Sequence, residues 1–410
     1  METPPSFDNP PGELRSQVEQ VMQIDDVMRG DRRSGFAVRF RGRLIESSDR
    51  AFDRLQPVFE RAGMTLLLRE ESNKHVILGV DGLVEPRPSD ARINVALFII
   101  TLLSVIYTGV VFANVYTYQA SPSIPDLSST AGIVHLIIGG LPFGFALMAI
   151  LLAHEFGHYL AARYHKTSVT LPYFLPLPPP LSPLGTLGAF IRLKSLPKNR
   201  RHLLDIGLAG PLAGFVVAVP VLLVGVYLSK VLPLPAGASS AGQMMMEGNS
   251  LLYLAAKYVI KGQLLPAPVS YGGVSPLLYW VRYFFSGAPI PFGGQDIIIH
   301  PLAWAGWAGL LVTALNLLPA GQLDGGHLVY VLFGRNVSRA WPIIVFILVG
   351  MGFVWSGWWI WAALVFFLGR SHAEPMDEIT PLDGGRRLLA ILGLVIFVLT
   401  FTPVPLILLG

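Results

Sequence analysis

Ala149-Ile150-Leu151-Leu152-Ala153-His154-Glu155-Phe156-Gly157-His158-Tyr159-Leu160 decides how the rest of the chain is read. It sets two histidines four residues apart, with a glutamate after the first, at the end of an apolar run long enough to lie in a membrane. On a helix, residues i and i+4 share one face, so His154 and His158 aim both imidazoles at one metal ion while Glu155 projects beside them. Imidazole nitrogen suits zinc at about 2.0–2.1 Å, and a catalytic zinc keeps three protein ligands and one open position for water. The ion lowers the pKa of that water to roughly 7, and a carboxylate that is not a ligand takes its proton as it attacks a carbonyl. Glu155 is the expected base. The bland alternative is a chance match on a buried helix. Against it, an ionisable group inside a span costs about 2.5–3.5 kcal/mol, so three together are not expected to be idle.

Composition divides the chain. It is 52% hydrophobic and 14% charged, yet residues 1–92 hold 30 of the 56 charged side chains. A soluble part therefore precedes a membrane part. The net charge of +4 arises in the membrane part, where basic residues sit at helix ends, and implies no nucleic-acid partner. With no cysteine, disulfides and thiolate metal sites are excluded. The acidic, proline-rich start, Met1-Glu2-Thr3-Pro4-Pro5, is unlike a cleaved signal or an Arg-rich transit peptide. The expected home is accordingly a bacterial plasma membrane.

Residues 1–12 read as a disordered leader and 13–88 as a soluble cytoplasmic α/β domain. In it, 13–30 has helical spacing through Leu14, Val18, Val21 and Met22, and Phe36 to Leu44 alternates like a strand. Ser47-Ser48-Asp49 caps a helix that Gly63 stops, and Met64 to Arg69 and His75 to Gly79 are strands, a β-α-β-β pattern. Pro86-Arg87-Pro88 links this domain to a membrane domain over 94–410. Spans are expected near 94–115, 142–164, 205–228, 301–318, 340–355, 357–369 and 388–407, about seven, making an α-helical polytopic membrane protein. Residues 229–300 read as a luminal or external cap, with an amphipathic surface helix at 251–260 and an apolar, aromatic stretch at 277–285 that is too short to span. Between 163 and 202 stand seven Lys and Arg and no acid, which places the His154 site close to the cytoplasmic face.

Two further stretches bear on the site. Prolines 172, 176, 178, 179, 180 and 183 forbid a helix, and Gly185 to Leu193 reads as an extended segment. It is either an interfacial loop or an edge that holds a substrate as an added strand, with Leu187 and Phe190 as its contacts. Asn316-Leu317-Leu318-Pro319-Ala320-Gly321-Gln322-Leu323-Asp324-Gly325-Gly326-His327 marks a broken helix at membrane depth. Asp324 is the expected third ligand. Asn316 either bonds substrate or satisfies the broken helix, and His327 belongs to the cavity wall. Pro381-Leu382-Asp383-Gly384-Gly385-Arg386 repeats the Leu-Asp-Gly-Gly words, but in what reads as a hydrated loop where Asp383 caps the last helix.

Together, His154-Glu155-Phe156-Gly157-His158 and the Asn316 to Gly326 motif resemble the site-2 protease family of intramembrane zinc metalloproteases. Gly207 to Gly214, Gly185 to Ser195, Gly248-Asn249-Ser250-Leu251 and His300 to Trp307 resemble its EGY-type branch. The resemblance covers about 94–405. It implies a three-span core carrying His154, Gly210 and Asp324, one Zn2+ on His154, His158 and Asp324, Glu155 as general base, and Asn316 on the substrate. It also implies cleavage of transmembrane protein substrates within the lipid bilayer. A second copy of the chain is a further candidate partner. No glycine-rich PDZ-like insertion is seen, so substrate filtering by that device is not expected. The rival is a multi-pass metal-ion transporter or sensor using the same ligands. It needs a lined path on both sides of the site, whereas His154, Glu155 and Asp324 stand in apolar stretches.

Overall fold

The computed structural model describes residues 11–30, 34–84, 88–120, 128–237, 244–334, 341–369 and 374–409. The first part is a four-stranded antiparallel sheet of β1 (Met22–Arg29), β2 (Val38–Leu44), β3 (Met64–Glu71) and β4 (Lys74–Asp81), ordered β1-β2-β4-β3. Helices α1 (Pro11–Glu19) and α2 (Ser48–Arg61) accompany it. Ala51, Phe52, Leu55 and Phe59 recur on one face of α2 and are buried with Phe40, Leu68 and Ile77 of the sheet. The helix expected over 13–30 stops at Glu19, and Met22–Arg29 is a strand paired with β2, so the order is α-β-β-α-β-β. A register shift between Ile24 and Asp26 explains the misreading. The bulge breaks the period of two in the strand, and the apolar positions 21 and 22 continue the helical spacing of Leu14 and Val18 past the end of α1. The leader expected over 1–12 lies outside the described residues up to residue 10, and Pro11 opens α1. Residues 85–87 of the linker and the loop around Asp126 also lie outside them.

Helices α3 (Ala91–Ala120), α4 (Thr130–Tyr164) and α5 (Arg200–Leu228) form the membrane part's long elements. Three helices are long and apolar enough to cross a membrane: Ala91–Ala113, Thr130–Tyr164 and Arg200–Leu228. The seven expected spans are thus three by length among the described residues. The later helices α8 (Pro301–Asn316), α9 (Asp324–Phe333), α10 (Trp341–Gly352), α11 (Gly357–Leu368) and α12 (Gly384–Thr400) have 10 to 17 residues. Breaks after Asn316, at Phe353 to Ser356 and at Phe401 bound them.

Helix α5 packs between α4 and α8, and α3 lies on α4. The connection from α4 to α5 carries a hairpin, β5 (Tyr173–Pro176) with β6 (Thr186–Phe190). Helix α3 holds it at both ends: Asn94 Nδ2 donates to Leu171 O and Pro172 O, each at 2.9 Å, and Ser104 Oγ donates to Gly185 O at 2.6 Å. Residues 229–300 form a cap of α6 (Leu251–Lys261), α7 (Pro276–Ser286) and short strands β7 (Lys230–Pro233), β8 (Met244–Glu247) and β9 (Gln295–Ile298). β7 pairs with β9, and β8 pairs with the C-terminal β10 (Leu406–Leu409). The helix expected over 251–260 runs one residue further, and the apolar stretch 277–285 is also helical. What composition did not announce is the cap's ionic interior, where Glu247, Lys257 and Asp296 are all buried.

Residues 374–380 are not the hydrated loop expected. Asp377 is fully buried, and Met376 and Ile379 pack against the core of the N-terminal sheet. The local sequence is acidic, but Asp377 accepts from Ile379 N and Thr380 N, and Glu378 accepts from the Tyr330 hydroxyl.

Candidate metal centre

His154 and His158 lie ten and six residues before the end of α4, about 15 and 9 Å along the axis. Both are buried, at 3% and 6% exposure, as is Glu155 at 4%. The approach of α5 makes this possible. A Cβ at Gly157 would stand within 3.0 Å of the Ala209 carbonyl and Gly210 Cα. The Gly207 to Gly214 stretch packs against the histidine helix at this crossing, since small residues let backbones approach closely.

The third group arrives from the break after α8. That helix ends at Asn316, Gly321 turns the chain with φ +56°, and α9 begins at Asp324. Asp324 therefore sits at the start of a separate short helix, on the far side of the expected break. His154 Nε2 and His158 Nε2 are 3.2 Å apart, and Asp324 Oδ2 lies 3.5 Å from the first and 3.3 Å from the second. His158 Nδ1 faces Ile206 O at 2.7 Å. Donation to that carbonyl places the ring proton on Nδ1 and leaves the Nε2 lone pair toward the other two donors.

These distances test the donor set for zinc. Ligands about 2.05 Å from a tetrahedral ion stand about 3.3 Å from one another. The three observed separations bracket that edge, and two imidazoles with one carboxylate are a donor set that zinc takes. Among the described residues, His154, His158 and Asp324 are the group of this kind. Asp383 is elsewhere: it caps α12 by accepting from Arg386 N at 3.0 Å, as its position foretold.

Asn316 Nδ2 lies 3.3 Å from His154 Nε2, at the rim of the donor triangle. A cavity of about 210 Å³ opens over the triangle, lined by Glu155, Asn316, Gln322, His327, Ala189 and Phe190 among others. A second cavity, about 300 Å³ and mostly apolar, adjoins it and shares Glu155, Asn316 and Ala189. Leu187 lines this second one, together with Leu151, Trp307, Leu311, Trp355 and Trp361. Strand β6 thus runs along both cavities, Phe190 toward the donors and Leu187 toward the apolar wall. In its two-stranded sheet β6 pairs with β5 alone, which leaves its other edge open among the described residues.

Residues 142–356 match the sequence profile of Peptidase family M50. The chain belongs to peptidase family M50. Within that family it is similar to the EGY-type proteins. It is 28% identical over 320 residues to "Probable zinc metalloprotease EGY1, chloroplastic" of Arabidopsis thaliana, covering 76% of this chain and 53% of that protein. It is 28% identical over 374 residues to "Probable zinc metalloprotease EGY2, chloroplastic" of Oryza sativa subsp. indica, covering 90% and 61%. The chain spans about half the length of the EGY1 proteins that it matches. No solved structure matches it. The relatives are named as chloroplastic, so they lend no support to a bacterial plasma membrane.

The sequence reading missed two features of the site. The acceptor that orients His158 is a backbone carbonyl, which no residue type announces. The apolar cavity takes its far wall from Trp355 and Trp361, and only tertiary packing brings these to β6.

Proposed function

We propose that this chain is an intramembrane zinc metalloprotease that hydrolyses peptide bonds in or near transmembrane segments of membrane proteins. One observation carries the reading: three donor atoms 3.2–3.5 Å apart, buried beside Glu155 on a membrane-length helix. His154, His158 and Asp324 would hold the ion. When bound, zinc supplies an acidified water and polarises the scissile carbonyl.

The chain's own residues do the rest. A substrate helix unwinds and pairs along the open edge of β6, which straightens the bond to be cut and presents it over the donor triangle. A side chain of the substrate enters the apolar cavity past Leu187. Glu155, at the junction of the two cavities, accepts the water proton and passes it to the leaving amine. Asn316 donates toward the carbonyl oxygen as negative charge develops there. Burial serves this chemistry by keeping bulk water from the reacting atoms. The partners are the bilayer and a transmembrane protein. The domain assignment of 13–88 as soluble and cytoplasmic, with the site mouth on that side, follows the basic 163–202 connection.

The test is zinc content together with cleavage of a synthetic single-span substrate by the purified full chain. Glu155→Gln should keep its metal and lose cleavage by at least about a hundredfold, as a general base is worth about 10²–10⁴. Asp324→Asn should weaken metal retention, and Asp383→Asn should not. Wild type without zinc, or Glu155→Gln that cleaves normally, defeats the reading. Zinc flux retained by Glu155→Gln would favour a transporter.

A further inference from the structure

The segment Glu374 to Arg387 has no part in the chemistry, yet it touches every body that positions it. Its main chain hydrogen-bonds on two sides. Toward the soluble domain, Leu68 N on edge strand β3 donates to Met376 O at 2.8 Å, and Glu378 N donates to Leu68 O at 3.1 Å. Toward the membrane part, Met376 N donates to Pro197 O at 2.9 Å and Asp377 N to Lys198 O at 2.7 Å, immediately before α5. Helix α5 supplies Ile206 O, which orients His158.

Side chains extend the tie to the helix of Asp324. Glu378 accepts from Tyr330 Oη at 2.8 Å, and Tyr330 lies in α9, which Asp324 begins. Arg69 of β3 sits 3.7 Å from the same carboxylate through Nε, while its Nη1 donates to Pro375 O and Met376 O at 3.0 and 2.9 Å. Arg200, at the head of α5, donates to Tyr330 O and Val331 O at 3.3 and 2.8 Å, so the C-terminal end of α9 is gripped from two directions. Arg69 and Tyr330 are buried, at 6% and 3% exposure. A short helix of ten residues that starts from a turn does not fix its own position. These bonds do.

We propose that Glu374 to Thr380 is a strap coupling the soluble domain to the metal centre, with Glu378, held by Arg69 and Tyr330, as a positioning residue for Asp324. The inference rests on the reading of Asp324 as a metal ligand. A shift of the soluble domain moves β3, and β3 moves the strap. The strap carries the far end of α9 with it, so the Asp324 carboxylate is displaced relative to the two imidazoles. The soluble domain then acts as a regulatory element whose position sets how well the donor triangle closes.

The test uses the full chain in detergent, loaded with zinc or cobalt, with zinc release to a chromogenic chelator as the main readout. The ligand-field spectrum of the cobalt form is the second readout, and neither needs a substrate. Tyr330→Phe removes one hydroxyl, Glu378→Gln one charge, and Arg69→Met the cation from another domain. Each should speed zinc release five- to tenfold and alter the cobalt spectrum. Tyr330→Phe with Glu378→Leu should be no worse than Glu378→Leu alone, because loss of the carboxylate already breaks its bond to the Tyr330 hydroxyl. Arg69→Lys should restore much of the effect. Release and spectra at wild-type values, even with a lowered unfolding midpoint, overturn the proposal, as does an additive double variant. Asp324→Asn separates the two levels: if it holds zinc as well as wild type, the ligand reading fails. If it weakens zinc while the strap variants do not, the coupling alone fails.

Discussion

The sharpest test of the site is a single methyl group. A Cβ on Gly210 would stand within 2.5 Å of His158 Nε2, Cδ2 and Cε1, against about 3.4 Å for ordinary contact. The nearest atom, Nε2 at 2.0 Å, would have to retreat by more than about 1 Å, whereas metal–ligand distances hold to within about 0.2 Å. It cannot swing freely, because Nδ1 is bound to Ile206 O at 2.7 Å from the same helix. Lost partners beyond the ligands themselves weaken metal sites by about 10–100-fold. A displaced ligand should do more, so Gly210→Ala is expected to release zinc at least about 100-fold more readily, about 3 kcal/mol. Gly214→Ala is the control. Its Cβ would stand 3.1 Å from His154 Nδ1, a misfit of a few tenths of an ångström, and zinc binding should stay within about threefold of wild type. The assay is chelator competition on purified protein, with a thermal melt to register overpacking. If Gly210→Ala binds zinc as wild type does, or the two alanines behave alike, the argument from this crossing is wrong.

Two more expectations follow from other parts of the structure. Leu187→Glu places a charge at the mouth of the apolar cavity on a residue 69% exposed, so folding should be little affected. If that cavity takes an apolar side chain worth about 1.5–3 kcal/mol on burial, kcat/KM for an apolar substrate should fall roughly tenfold at unchanged zinc content. An unchanged kcat/KM removes the cavity from the substrate path. In the cap, burial first and then nearby Asp296 push the Glu247 carboxyl from its ordinary 4.5 up to about 7. Because the folded-state value is raised, the stabilisation is full below about pH 4.5 and lost as pH rises through about 7, on the order of 3 kcal/mol. Glu247→Gln keeps an acceptor for the Tyr253 hydroxyl, 2.7 Å away in the wild type, and cannot ionise. Melting curves of the variant should be flatter than wild type across that window, and parallel curves refute the assignment.

How far the chain could be read from its residues depended on the range of each interaction. His154, Glu155 and His158 were legible because a metal-binding face on a helix is set by a spacing of four. The β6 edge was legible because prolines and Gly185 exclude the alternatives locally. β1 was not, since the bulge at Ile24 and Asp26 hides its alternation. Nor was the strap: Met376 and Ile379 complete the core of a domain more than 290 positions upstream, and their acidic neighbours suggested water. Of the seven spans expected, three are long enough among the described residues. Hydropathy measures apolar length, whereas the turns that divide α8 from α9 and α10 from α11 are set by packing of the segments between them.

The repeated Leu-Asp-Gly-Gly shows how one set of words acquires two meanings. At 382–385 Asp383 is the residue before the helix, extended at φ −76° and ψ 166°, and its carboxylate is consumed by Arg386 N and the Arg386 guanidinium. At 323–326 the helix begins one residue earlier in the phrase. Leu323 takes the extended position, at φ −69° and ψ 158°, and makes no side-chain cap, so Asp324 stands inside the first turn with its carboxylate free to face two imidazoles. The glycines explain the offset. A Cβ on Gly325 would lie within 2.5 Å of the Leu317 and Leu318 carbonyl oxygens, and one on Gly326 within 2.8 Å of Ala320 and Gly321 backbone. Both are needed for the returning turn to press against the helix start. At the second copy, a Cβ on Gly384 meets nothing within 4 Å, and one on Gly385 meets only Asp383 Oδ1, at 3.4 Å. Close packing of the Asn316 to Gly321 turn therefore moves the helix start by one residue, and that single step turns a capping aspartate into one that completes the donor triangle.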